Sequence, residues 1–387
     1  MRKNKKKMAW RVIVLIVLAG VVAMGVLSCG NDSEERFNWP AALVDKSPLI
    51  ISHRGASGAR PEHSIEAYRL AIEWGADYVE QDLVMSKDGV LMVQHDITLG
   101  LTTDIATKFP DRYAKNAAGE PVNSSGTVVA YASRVWLPKD FTRAEIQTLL
   151  LHERYNSTTT PRTVSHTFDN LVGTVPTFEE AIQFIQSEEQ RLHKVIGIYP
   201  ETKSPRLHKD WGLPMEDELL RVLKKYGYVD RNSPVFIQSF EDTNLMELKK
   251  KTDIRLIQLI PMSYATVLYG YTYSYDDMLT NAGLARVATY AYGIGPAQTM
   301  VVSESTGVAT DLVTRAHAAG LKVHSYTVRN DALPPYILAL GYVNVGYPGE
   351  GTGGYKQMKD LLAAGEDGMF TDFSNTLYQL CKDNSWR

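Results

Sequence analysis

Glu80 and Asp82 stand one residue apart in an apolar stretch. Residues two apart on a strand point to the same face, so this spacing sets two carboxylates side by side with Gln81 turned away. Such a pair outlines a site for a hard cation. One apolar run nearby ends in Ser52-His53-Arg54-Gly55 and another in His95-Asp96. Far along the chain, Glu201 and Lys203 repeat the spacing and could turn a third carboxylate and an ammonium toward the same cavity. Three carboxylates without cysteine or paired histidine ligands suit one oxygen-seeking divalent cation, Ca2+ or Mg2+, rather than zinc. Arg54 and Lys203 beside that cation are the means of holding a phosphate oxyanion. His53 and His95 remain for proton transfer, since an imidazole titrating near neutrality can take a proton from a nucleophile and return one to a leaving alkoxide.

Each residue has a plainer reading. A lone histidine at a strand end is more often a hydrogen-bonded structural residue, and a Glu-x-Asp pair is usually a solvated face. Glu201 and Lys203 alone would make a surface ion pair worth ~0–1 kcal/mol. Together at the ends of successive strands, the seven favour a site.

The elements that must position them alternate. Strands are expected at 49–52, 78–85, 90–95, 194–199, 234–239, 255–260, 322–328 and 368–371. Helices are expected at 64–74, 142–150, 177–192, 216–226, 241–250, 311–319 and 333–340, with Thr142/Glu145 and Thr177/Glu180 at capping-box spacing. Repeated strand-then-helix units imply a parallel sheet, and this many favour an α/β fold of the closed (β/α)8 type over a doubly wound sheet. No glycine-rich phosphate fingerprint opens a first helix, which counts against a nucleotide-binding fold. In such a barrel the seven residues would converge on the mouth formed by the carboxyl ends of the strands. Loop-like clusters interrupt the pattern over about 100–173, an insertion after the second or third strand. A tyrosine-rich loop covers 264–275.

The start of the chain reads as a targeting segment. Arg2, Lys3, Lys5, Lys6, Lys7 and Arg11 precede an apolar run without charges over 12–28. Ser28 directly before Cys29 resembles a bacterial lipoprotein processing site, although Leu27 is bulkier than the usual residue there. An uncleaved membrane anchor is the competing reading, and the run is slightly short of the ~20 residues that span a bilayer. Either one exports the body of the protein, with residues 1–28 a signal, 29–47 a polar tether and 48–387 the folded domain. Lipidation at Cys29 would give a membrane-anchored lipoprotein facing the periplasm or cell exterior. It would also leave Cys381 without a partner, so stability rests on the core rather than on crosslinks. Without the first 28 residues, 35 Lys and Arg face 44 Asp and Glu, a net charge of −9, which does not suggest a nucleic-acid partner.

Taken together, His53-Arg54-Gly55-Ala56-Ser57-Gly58 with Pro61-Glu62-His63-Ser64, then Gly75-Ala76-Asp77-Tyr78-Val79-Glu80-Gln81-Asp82-Leu83 and His95-Asp96, closely resemble the glycerophosphodiester phosphodiesterases. The resemblance is strongest to the secreted, periplasmic-type glycerophosphoryl diester phosphodiesterases. It continues through Tyr199-Pro200-Glu201-Thr202-Lys203, Tyr326-Thr327-Val328-Arg329 and Gly368-Met369-Phe370-Thr371-Asp372-Phe373, and covers roughly 49–380. It implies a TIM barrel with a small insertion after the His-Asp strand. It further implies that Glu80, Asp82 and Glu201 bind the metal, Ca2+ ahead of Mg2+, that His53 and His95 are the acid/base pair, and that Arg54 and Lys203 contact the phosphate. The implied reaction converts glycerophosphodiesters such as glycerophosphocholine and glycerophosphoethanolamine to sn-glycerol 3-phosphate and an alcohol. A phospholipase D-like lyase acting on lysophospholipids and a non-catalytic surface lipoprotein are the competing readings. Five intact site residues, His53, His95, Glu80, Asp82 and Glu201, argue against the second.

Overall fold

A computed structural model describes residues 47–154, 173–261, 274–346 and 348–386. The expected signal segment, Cys29, nearly all of the tether and most of the 264–275 loop lie outside the described residues, as does the last part of the insertion. Eight strands run parallel: β1 (Leu49–Ser52), β2 (Tyr78–Met85), β4 (Gly197–Thr202), β5 (Phe236–Ser239), β6 (Arg255–Ile260), β7 (Gly293–Pro296), β8 (Lys322–Val328) and β9 (Gly368–Thr371). They pair in the order β1-β9-β8-β7-β6-β5-β4-β2, and β1 pairs β2 in turn, which closes the expected barrel.

Two barrel strands differ from expectation. The one expected at 194–199 lies three residues later, as β4, so that Glu201 is inside the strand rather than past its end. The other, the run at 90–95, is the short strand β3 (Leu91–Val93), antiparallel to β2 in a hairpin outside the ring. The missing barrel strand is β7, Gly-Ile-Gly-Pro, too poor in side chains to register as a strand. Its glycines are there for space, because a Cβ on Gly293 would lie 2.6 Å from the Lys322 carbonyl and one on Gly295 2.6 Å from the Leu259 side chain.

Alternation along the strands builds two cores. Outward residues such as Ile50, Val79, Ile198 and Ile237 pack under the helices. Inward residues Ile51, Tyr78, Tyr199, Phe236, Ile257 and Phe370 fill the barrel itself. The ring of Phe236 lies 5.0 Å from those of Tyr78 and Tyr199, and Phe370 is 5.0 Å from Tyr199, an aromatic floor.

The helices begin where their caps place them. Ser64 accepts from the Ala67 amide ahead of the helix Ile65–Glu73, and complete capping boxes start Arg143–Ile146 and Phe178–Leu192. The first of these boxes opens only a four-residue helix, shorter than expected. The insertion has a core of its own, with Leu99, Ile105, Trp136, Phe141 and Leu149 packed on Val84 and Met92 of the β2–β3 hairpin. Among the described residues no helix is long and apolar enough to cross a membrane.

Candidate active site

The barrel register gathers the carboxylates. Glu80 and Asp82 follow Tyr78 on the inward face of β2, Asp82 lies beside Glu201 of β4, and Glu201 beside Gln238 of β5. Lys203 is one residue past the end of β4, and its Nζ is 2.7 Å from Glu201 and 3.6 Å from Asp82 Oδ1. His53 and Arg54 follow β1. Arg54 sits at φ 57°, a left-handed turn that points its N–H at Glu80 Oε2, 2.7 Å away, and lays its Nε 3.3 Å from Asp82 Oδ2. His95 reaches the same mouth from the hairpin, with Gln94 N–H bonded to the Asp82 carbonyl at 2.9 Å. Six of the seven expected residues line one cavity of about 370 Å3, and Asp82 is buried beneath it. A larger cavity of about 730 Å3, between the insertion and the helix Pro205–Asp210, holds none of them.

The cavity also shows what the sequence reading left unassigned. His63, at φ 61°, donates from Nε2 to Asp82 Oδ2 at 2.8 Å and accepts at Nδ1 from the Tyr68 hydroxyl at 3.1 Å. Gln238 donates to Glu80 Oε1 at 3.2 Å. Glu62 accepts from Arg54 at 3.0 Å and, through both oxygens, from Arg154 at 2.6 and 2.5 Å. Asp372 accepts from His53 Nδ1 at 2.7 Å and Asp96 from His95 Nδ1 at 2.9 Å, because an ionised carboxylate can only accept. Glu62, His63 and Asp372 lay inside recognisable motifs, but nothing in their spacing says which way their side chains turn. Arg154 carries no signal, since it arrives from the insertion.

The Glu80 and Asp82 oxygens are placed to share a divalent cation, whereas Glu201, paired with Lys203 Nζ at 2.7 Å, is not among the side chains that close on them. The ligand atoms of His63, Glu80 and Asp82 lie within 4.8 Å of one another. Both ring nitrogens of His63 are spoken for, so it orients Asp82 rather than adding a ligand. Asp82 Oδ1 is buried without a hydrogen-bond donor, as is Gln238 Oε1. Burial, and then the Asp82 charge, push the Glu80 carboxyl well above its ordinary range, and burial takes Glu201 up to about 8 against the pull of Lys203. Asp82 is held well below its usual range: burial opposes ionisation, but Lys203, His95, His63 and Arg54 outweigh it. Carboxylates crowded at the cost of one another's ionisation are what a bound cation relieves.

Electrostatics keep both imidazoles neutral. Burial and then Arg54 take His53 down to about 4, and burial, Arg54 and Lys203 take His95 down to about 3. Arg54 and Lys203 stay charged, because their carboxylate neighbours outweigh burial. Arg54 and Lys203 at the cavity wall are the groups there that can meet an anion.

Residues 53–376 match the glycerophosphoryl diester phosphodiesterase family. The chain belongs to that family. It is 34% identical to a glycerophosphodiester phosphodiesterase of Haemophilus influenzae, over 94% of this chain and 97% of that one. A second relative, from Arabidopsis thaliana, is 33% identical over 89% of each chain. Among solved structures, the fold resembles an Oleispira antarctica phosphodiesterase in complex with the product sn-glycerol-3-phosphate. That match has a TM-score of 0.56 and 18% identity, and covers 87% of this chain and 97% of that one. It also resembles a glycerophosphodiester phosphodiesterase of Agrobacterium tumefaciens, with a TM-score of 0.51 and 18% identity, covering 86% and 99%. The phosphodiesterase family match runs from His53, just past β1, to Thr376, and takes in the other barrel strands and the insertion.

Proposed function

We propose that this phosphodiesterase cleaves glycerophosphodiesters such as glycerophosphocholine and glycerophosphoethanolamine to sn-glycerol 3-phosphate and the free alcohol, with one divalent cation held by Glu80, Asp82 and Glu201. The observation that carries the reading is a single cavity that joins buried carboxylates, two cationic side chains and two aspartate-held imidazoles. The bound sn-glycerol-3-phosphate of the Oleispira relative supports the product. When present, the cation supplies Lewis-acid stabilisation of charge on the phosphoryl oxygens. Arg54 and Lys203 hold the remaining phosphate charge and orient the diester. One of His53 and His95 takes the proton of the attacking oxygen as it bonds to phosphorus, and the other returns a proton to the departing alkoxide. The attacker is a water, or the neighbouring glycerol hydroxyl, whose cyclic phosphate a water then opens with the two roles exchanged. Burial is the larger reason the imidazoles are neutral, and entry of the anionic diester offsets the smaller share that Arg54 and Lys203 add, which favours the proton on the acid partner with substrate in place.

Calcium is proposed ahead of magnesium, since a crowded set of carboxylates tolerates its irregular coordination better than the strict octahedron of magnesium. The chain is proposed to be an exported lipoprotein anchored through Cys29, on the basic and then apolar layout of residues 1–28. The test of the activity is release of sn-glycerol 3-phosphate from glycerophosphocholine in chelator, Ca2+ and Mg2+ side by side. Release without any metal dependence would reject the cation, and no release under any condition would reject the function.

A further inference from the structure

The two imidazoles at the mouth are each held by an aspartate, but by parts of the molecule that differ in burial. The oxygen of Asp372 that does not face His53 lies 3.4 Å from Arg329 Nε. The oxygen of Asp96 that does not face His95 lies 2.8 Å from Arg154 Nη2, an ion pair whose angle does not make a hydrogen bond. Two histidine–aspartate–arginine relays thus converge on one cavity, and both arginines line its wall. Asp372 is fully buried, and Arg329 spends its fork on Asp331 at 2.7 and 3.0 Å. Asp96 has 19% of its side chain exposed, and it follows His95 directly on a hairpin outside the ring. Burial fixes the first aspartate, whereas Arg154 is the cation set against the second.

We infer that Arg154, supplied by the insertion, is a positioning residue for His95: it holds the Asp96 carboxylate so that the imidazole keeps its proton on Nδ1 and presents Nε2 to the substrate. The inference rests on the reading that His95 moves a proton. An aspartate free to swing would release Nδ1–H, and the ring would then divide between two tautomers, only one of which has a basic Nε2 in the cavity. Arg154 can serve as a fixed strut because Glu62 grips it with both oxygens and is itself gripped by Arg54. Arg154 Nη2 is also 3.5 Å from His95 Nδ1, where it could donate only to an unprotonated nitrogen; the Asp96 oxygen at 2.9 Å is the closer partner and accepts from Nδ1–H.

A double-mutant cycle on the metal-loaded, full-length protein tests this. With glycerophosphocholine, R154Q is expected to lower kcat by ~10–100-fold, as loss of an orienting partner typically does. Its KM should stay within about threefold of wild type, since ground-state binding is untouched. D96N should cost at least as much, and R154Q/D96N no more than the slower single variant, because residues that act through one another are not additive. Imidazole nitrogen spectra should show His95 protonated on Nδ1 in the wild type and divided between tautomers in R154Q, with His53 unmoved. If R154Q does not fold, R154K, which keeps the charge but loses the fork, carries the same comparison with D96N. Multiplying defects, a raised KM with kcat intact, or unchanged His95 spectra in R154Q would overturn the inference. Near-normal turnover by H95A would instead overturn the proton-transfer reading beneath it.

Discussion

The floor and the mouth of the barrel are made by the same strands at alternate inward positions. On β2, Tyr78 belongs to the floor and Glu80 and Asp82 to the mouth; on β4, Tyr199 and Glu201 divide in the same way, as do Phe236 and Gln238 on β5. In the floor, large rings bury one another and their polar atoms are few. In the mouth, carboxylates are forced together against their charge. A shift of two residues thus separates where the fold gains stability from where it gives some up for chemistry.

Substitutions at the two levels should therefore diverge. E80Q should reduce turnover by roughly 10^3-fold or more, since Lewis-acid stabilisation is worth several kcal/mol. In chelator the same variant should melt above wild type, because burial and Asp82 disfavour the ionised Glu80 that the unfolded chain carries and glutamine has no proton to take up on folding; calorimetry with and without metal checks both signs. H53A and H95A should each cost ~10^2–10^4-fold in kcat at nearly unchanged melting temperature, and full activity in either would remove that histidine from the mechanism. At the floor, F236A should destabilise by ~3–5 kcal/mol, while turnover per folded molecule changes only a few-fold. If F236A instead abolished activity without loss of stability, the separation of levels would be wrong.

The smallest effect is a pH dependence of the floor. His324 is buried beside the Tyr199 hydroxyl, 2.9 Å from it, and burial takes it down to about 4 from an ordinary value of 6.5. Between those two pH values the unfolded chain binds the extra proton, so stability is complete above the unfolded value and is lost as pH falls toward 4. At about 1.4 kcal/mol per unit this amounts to at most about 3 kcal/mol. As pH is lowered from 7 to 4, denaturant midpoints should fall less steeply in H324Q than in wild type, and parallel slopes would refute the assignment.

Much of this arrangement was legible because it depends on period. The inward alternation of Tyr78, Glu80 and Asp82, and its echo in Tyr199 and Glu201, follows from strand geometry alone, and a closed barrel is what brings the two together. The aperiodic parts were not legible. Arg54 and His63 act from left-handed turns, whose side-chain directions no alternation predicts. β7 hides in two glycines and a proline. The run ending in His95 looked like a barrel strand because a hairpin partner alternates just as a barrel strand does, and only pairing direction tells them apart. Arg154 joins the site solely through the insertion's own fold.

His95 and His53 are braced by different apolar clusters of one compact unit. The His95 hairpin is braced by the small apolar cluster of the insertion, whereas His53 hangs on β1 inside the main ring. Protein regions open with free energies of their own, and the smaller cluster is the weaker one. On warming, the proton relay would come apart before the barrel does, so heat inactivation would precede unfolding, and a molecule that still shows its full secondary structure could already be silent.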